Sequence, residues 1–168
     1  MKRHGFLAAA LTIVFLTGCP FEAKVPLGNP APHSIDPRLV GTWIGTTGQK
    51  GDSTEVRVLA FNDAEYYVET RERNGQVARY RAYMTPVGGE QIVSINELGS
   101  DSSSSSYFLA RYSITPDGIV SIRFVGEKIV PKSLSSDREG LIKLLKDHAQ
   151  DPDLDDPDVP LILRPVDR

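Results

Sequence analysis

Thiols and imidazoles are scarce in this chain: one cysteine, Cys19, and three histidines in 168 residues. A single cysteine excludes an internal disulfide and any multi-thiolate metal centre, and His4, His33 and His148 are too few and too scattered for a histidine-rich one. No apolar run is long enough to span a bilayer as a helix. The longest, residues 5–16, falls short of the ~20 residues required. A Gly-x-Ser-x-Gly nucleophile elbow is missing. So is a phosphate-binding loop, because the stretch 45–53 lacks the Gly-Lys-Ser/Thr ending. Basic residues are in deficit as well, 19 Lys and Arg against 22 Asp and Glu. The sequence therefore assigns no catalytic residue, no cofactor and no metal site. It points away from nucleic acid as a partner and toward a non-enzymatic role.

The informative part of what is present lies at the start. Lys2, Arg3 and His4 form a basic tip, residues 5–16 are almost wholly apolar, and Leu16-Thr17-Gly18-Cys19 follows directly. A charged tip, an apolar stretch of this length and small residues before a cleavage point make an export signal. With Leu at −4 and Cys after the cut, the segment resembles the lipobox of bacterial lipoproteins. That resemblance implies removal of residues 1–18, a diacylglycerol thioether on the Cys19 sulfur and a further acyl chain on its new amino group. Two or more chains give stable anchoring where one does not, at ~0.8 kcal/mol per buried methylene. Pro20 follows the cysteine in place of the Asp that commonly retains such proteins in the inner membrane. In a double-membraned bacterium the expected location is thus the outer membrane, with the folded part facing the periplasm; in a single-membrane organism it is the outer face of the plasma membrane.

Cleavage would leave 150 residues, and loss of Lys2 and Arg3 leaves 17 basic against 22 acidic side chains, a net charge of −5. That length suits one domain with a proper core. Residues 19–34 hold Pro20, Pro26, Pro30 and Pro32 with Gly28 and Asn29 and show no periodicity. They read as a tether, extended at ~3.1 Å per residue, with the domain occupying 35–168.

From Gly41 onward, short alternating runs are separated by turn residues, the pattern of an antiparallel β domain. Strands are expected at 41–47, 54–62, 64–72, 77–86, 90–98, 106–115, 118–126 and 159–165. Asn74-Gly75, Gly88-Gly89 and Asp117-Gly118 supply the turns. One parity carries Val56, Val58, Ala60, Tyr66, Val68, Tyr80, Ala82, Met84, Phe108, Ala110, Tyr112, Ile114, Val120, Ile122 and Phe124, and is expected to face inward. The other carries Glu55, Arg57, Glu69, Arg71, Arg79, Arg81, Arg111 and Arg123, expected outward as solvated cross-strand ion pairs. Successive hairpins suit an up-and-down barrel of eight strands, which leaves no edge exposed. One α-helix is expected at 136–149, before the last strand, with Ser136 and Glu139 as a capping box. Leu141, Leu144, Leu145 and His148 form its stripe, placed to pack on the barrel wall or to close one mouth. The acidic run Asp151, Asp153, Asp155, Asp156 and Asp158 reads as a solvated turn; its spacing departs from a calcium loop at the sixth and twelfth positions.

The segment Asp36-Pro37-Arg38-Leu39-Val40-Gly41-Thr42-Trp43 resembles the opening of a lipocalin, whose first strand carries Gly-x-Trp, here Gly41 and Trp43. The resemblance implies an eight-stranded barrel closed at its base by the Trp, with an Arg from the last strand stacked over it. Arg164 takes that position. The helix differs, since lipocalins place it after the eighth strand. Tyr66, Tyr80, Met84, Phe108 and Tyr112 are the candidate ligand-binding residues. They either line an apolar pocket, with hydroxyls for a ligand's polar end, or simply fill a core. Two functions follow: a membrane-anchored barrel that binds a small apolar or amphipathic molecule, or an envelope module with a filled core that docks another protein.

Overall fold

The computed structural model describes residues 20–47, 53–99, 106–156 and 160–166. The segment expected to be an export signal and Cys19 lie outside them, as do most of the serine run and Asp158. The chain is mainly β: a closed antiparallel barrel of eight strands with one short extra strand and a single α-helix before the last strand. The extra strand is β1 (Glu22–Ala23). The barrel strands are β2 (Gly41–Thr47), β3 (Ser53–Ala60), β4 (Glu65–Arg71), β5 (Val77–Val87), β6 (Glu90–Glu97), β7 (Tyr107–Ile114), β8 (Val120–Phe124) and β9 (Leu161–Pro165). Each pairs with the next in sequence, and β9 pairs back onto β2, which closes the cylinder. The up-and-down order follows from the tight turns. Gly88 and Gly89, at φ 61° and 88°, take the left-handed conformation that a two-residue hairpin between β5 and β6 needs.

Alternation sorts the side chains as the sequence indicates. Val56, Val58, Tyr66, Ala82, Met84, Val120 and Leu163 form an inner cluster with Trp43. The outer face of β3 to β5 carries the ion-pair ladder, in which Glu69 meets Arg79 at 3.3 Å and Arg71 at 3.6 Å. Ala60, at the strand's end, is exposed rather than inward.

A second apolar cluster lies outside the barrel wall. Val87, Ile92 and Leu109 project outward from β5, β6 and β7. They are covered by Phe21, Ala23 and Leu27, by Leu141 and Leu145 of α1 (Arg138–Asp147), and by Val125, Val130 and Leu154. The helix therefore packs on the wall. Its close approach is set at Gly88, where an added Cβ would sit 3.1 Å from the Lys146 backbone. The helix starts one residue later than the capping box implies: Asp137 is the cap, its carboxylate accepting from the Gly140 amide at 3.0 Å. Ser136 instead ends a 3-10 turn, Lys132–Ser136.

Two further expectations are corrected here. Residues 20–28 are not a free tether. β1 pairs with β7, Phe21 is 1% and Leu27 2% exposed, and Tyr83 donates to the Gly28 carbonyl at 3.0 Å. Its apolar residues at 21, 23 and 27 bind it to the wall. The acidic run is solvated only in part: Asp153 is exposed, but Asp155 is not, and Asp158 lies outside the described residues. Asp155 is 9% exposed and pairs with Arg111 at 2.6 Å and Arg123 at 3.2 Å, while Arg111 also donates to the Ala149 carbonyl. Arg111 does point outward, but into the covered face rather than into water.

Candidate functional site: an apolar cavity in the barrel

The inner cluster does not fill the barrel. A cavity of about 620 Å³ runs along its axis, walled by every second residue of the strands: Val56 and Val58, Tyr66 and Val68, Tyr80, Ala82 and Met84, Val93 and Ile95, Phe108 and Tyr112, Ile122 and Phe124, Leu161 and Leu163. Period-two alternation on eight strands puts these side chains on one surface. The five residues expected from the sequence, Tyr66, Tyr80, Met84, Phe108 and Tyr112, all lie on that wall.

One end is a floor. The 3-10 turn Pro37–Leu39 crosses it, with Leu39 facing the cavity. Trp43, 6% exposed, packs there and donates from its indole nitrogen to the Leu39 carbonyl at 3.1 Å. Gly41 lies under the same ring, its Cβ position 3.6 Å from the indole nitrogen. Arg164 does not stack on Trp43. Its register partner is Ile44, which is exposed, whereas Trp43 pairs with Pro165 and points inward. Arg164 therefore sits on the outer face, one residue out of phase with the role the resemblance gave it.

The hydroxyls at the floor already have partners. Tyr112 donates to Asp36 Oδ2 at 3.1 Å, and the Asp36 amide donates to the Tyr66 hydroxyl at 2.6 Å. Asp36 also caps the 3-10 turn and takes a two-point contact from Arg38. Its hydrogen bonds from Arg38 hold its carboxyl below the ordinary range. Burial, reinforced by the neighbouring Asp36 charge, pushes the Tyr112 phenol up to about 12. Burial raises Tyr66 and Tyr80 as well. All three phenols are thus neutral at physiological pH, and among the described residues the cavity wall carries no ionised group below the rim.

The opposite end holds the polar groups: Thr47, Ser53, Thr54, Glu72, Arg73, Asn74 and Gln76 border the cavity at the ends of β2 to β5. Arg73 donates to the Ser53 hydroxyl at 3.2 Å. Polarity therefore runs from an apolar barrel to a hydrogen-bonding rim. The sequence reading missed Val93 and Ile95 on β6, Leu161 and Leu163 on β9, and Pro20. On β6 Ile92 and Val93 are adjacent apolar residues, Ile92 buried outside and Val93 lining the cavity, so the strand is covered on both faces there and shows no clean alternation.

Among the described residues no helix is long and apolar enough to cross a membrane, and no three His, Cys, Asp or Glu side chains gather as a metal site. In the acidic run that the sequence raised, the described residues have structural partners: Asp151 caps the 3-10 turn Pro152–Leu154 and meets His148 at 3.3 Å, and Asp153 meets Lys128 at 2.7 Å. Fold and cavity together define a hollow antiparallel β-barrel with an apolar interior and one polar rim. No protein family, curated protein or solved structure matches the chain.

Proposed function

We propose that this is an envelope lipoprotein, anchored through acyl chains on Cys19, whose lipocalin-like barrel binds one small apolar or amphipathic molecule without transforming it. The observation that carries the reading is the cavity of about 620 Å³. That volume lies in the range of sites that enclose a single small molecule, ~300–1,000 Å³. Its gradient suggests an orientation. A ligand's apolar part would replace water against Val, Ile, Met and aromatic side chains, while its polar end would stay at the Thr, Asn, Gln and Arg73 rim. Burial at ~25 cal/mol per Å² of apolar surface would supply the affinity. The floor hydroxyls, engaged with Asp36, would close the base rather than select the ligand. The outer-membrane address rests on the lipobox and on Pro20 at the position after it.

The void favours this over an interaction module with a filled core. Native mass spectrometry of gently extracted protein, followed by solvent extraction, tests it. The expected result is a barrel carrying one extractable apolar molecule. Protein that is bare in native spectra and refuses apolar probes would refute it.

A further inference from the structure

We infer that the cavity takes an amphiphile whose head is a positively charged nitrogen, an ammonium held at the rim by Glu72. This rests on the apolar-binder reading above and names the ligand class for the same site.

The rim sorts its charges by face, because residues paired across antiparallel strands share one side of the sheet. Thr70 pairs with Val56 and with Ala78 on the lumen side, and Glu72 follows at the same parity and borders the cavity. The Glu72 amide donates to the Gln76 carbonyl at 2.9 Å, which carries the ladder between β4 and β5 one step past Arg71. Glu97 lies opposite Tyr80, so it too stands on the lumen side of its strand. Both carboxylates reach the Tyr80 phenol. Burial is the main cause of that phenol's raised pKa, and the two negative charges add to it.

Arg73 is the one cation among the described residues that border the cavity, and it turns to the outer edge. Extending the pairing of Glu55 with Arg71 sets Ser53 opposite Arg73 on the outer face, and Arg73 donates to the Ser53 hydroxyl at 3.2 Å. Arg71 and Arg79 lie outside as well, both held by Glu69. Glu72 is met by the Asn74 side-chain amide at 3.1 Å and, among the described residues, by no cation. The inner rim therefore presents groups that accept: the Glu72 carboxylate, the Thr54 and Thr70 hydroxyls and the Gln76 side-chain oxygen. An ammonium donates and cannot accept, whereas a carboxylate only accepts. The formal net charge of −3 also favours the approach of a cation. At the ~30 Å³ that a water molecule occupies in the liquid, 620 Å³ holds about twenty non-hydrogen atoms, enough for one alkyl chain or a compact ring system below the head.

The test displaces the uncharged fluorophore N-phenylnaphthylamine from the chain that begins at residue 19, carrying Cys19→Ser and exported behind an ordinary cleavable signal. The competitors share one tail and differ in the head: decylammonium, decanol and decanoate, each below its micelle concentration at neutral pH. The expected order of affinity is ammonium, alcohol, carboxylate. First and last should differ about tenfold or more, the size of a charge-assisted hydrogen bond made by one and refused to the other. Raised salt should shrink that gap and leave decanol unmoved. Glu72→Gln should cut the gap to about threefold or less, what a screened charge at the exposed Glu97 can sustain, while the fluorophore still binds. Glu97→Gln added to it should close the rest. Decanoate binding as tightly as decylammonium, or a gap that survives Glu72→Gln undiminished, overturns the inference and leaves the apolar-binder reading standing. A chain that binds neither the fluorophore nor any competitor overturns both.

Discussion

The two faces of one sheet are packed in opposite ways. Outside the wall, Phe21, Leu27, Ile92, Leu109, Leu141, Leu145 and Leu154 are each 2% exposed or less and close into a continuous cluster. Inside, residues of the same chemical kind enclose about 620 Å³. Composition does not explain the difference; geometry does. The outer cover consists of a strap, a helix and the 149–156 segment, which can approach the wall until side chains interlock at the density of a protein interior. The barrel's radius is set by strand number and stagger. A small inward residue such as Ala82 cannot draw the walls together, so the space beside it persists. A void kept by backbone closure, beside a core kept by packing, lets the first serve binding and the second serve stability.

That division can be broken by mutation. The largest loss is expected outside the barrel, at Asp155→Ala, which strands Arg111 in a buried site and should cost about 3–5 kcal/mol in denaturant unfolding. Replacing the pair together, as Arg111→Met with Asp155→Leu, should recover much of it, since apolar substitutes of similar volume often match a buried ion pair. Next comes Leu145→Ala in the outer cluster, about 2–5 kcal/mol through lost burial plus a new cavity. Val93→Ala on the inner wall should cost only about 1–1.5 kcal/mol, because it enlarges a void already present. Near-equal losses at 145 and 93 would mean that the barrel is as tightly packed as its cover.

The converse substitution, Ala82→Phe, should change stability by less than about 1 kcal/mol while weakening apolar-ligand binding at least tenfold, whereas overpacking a filled core costs about 1–3 kcal/mol. The smallest effect concerns the floor. The Asp36 carboxyl is held below its ordinary value by Arg38 and by Tyr112. Its stabilisation is therefore complete above the unfolded-state carboxylate pKa and disappears as pH falls through the lower folded value. Stability measured against pH should fall less steeply in Asp36→Ala than in the parent over that acid window, with ligand binding near neutral pH little changed.

The strands, their order and most of the lumen wall were legible in the sequence, because inward apolar residues on β3, β4 and β5 alternate with outward positions that carry several Glu and Arg. What was not legible is everything that depends on the cover. Arg111 looks like its solvated neighbours Arg79 and Arg81 until the 149–156 segment folds over it and Asp155 meets it from 44 residues away. The strap at 20–28 looks like a linker, because three apolar residues among prolines carry no period; only contact with β7 reveals their use. Arg164 failed by one residue of register, an error that flips a side chain to the other face of a strand. The void itself was beyond reach, since the same inward residues describe a filled barrel or a hollow one until the radius is known.

The most direct test of the hollow-barrel account is calorimetric titration of the unacylated domain with a long-chain alcohol at several temperatures. The account expects one saturable site per chain with a negative heat-capacity change, the mark of apolar burial, abolished by Ala82→Phe and retained by folded Leu145→Ala. Binding that survives Ala82→Phe, or no saturable binding at all, would contradict it.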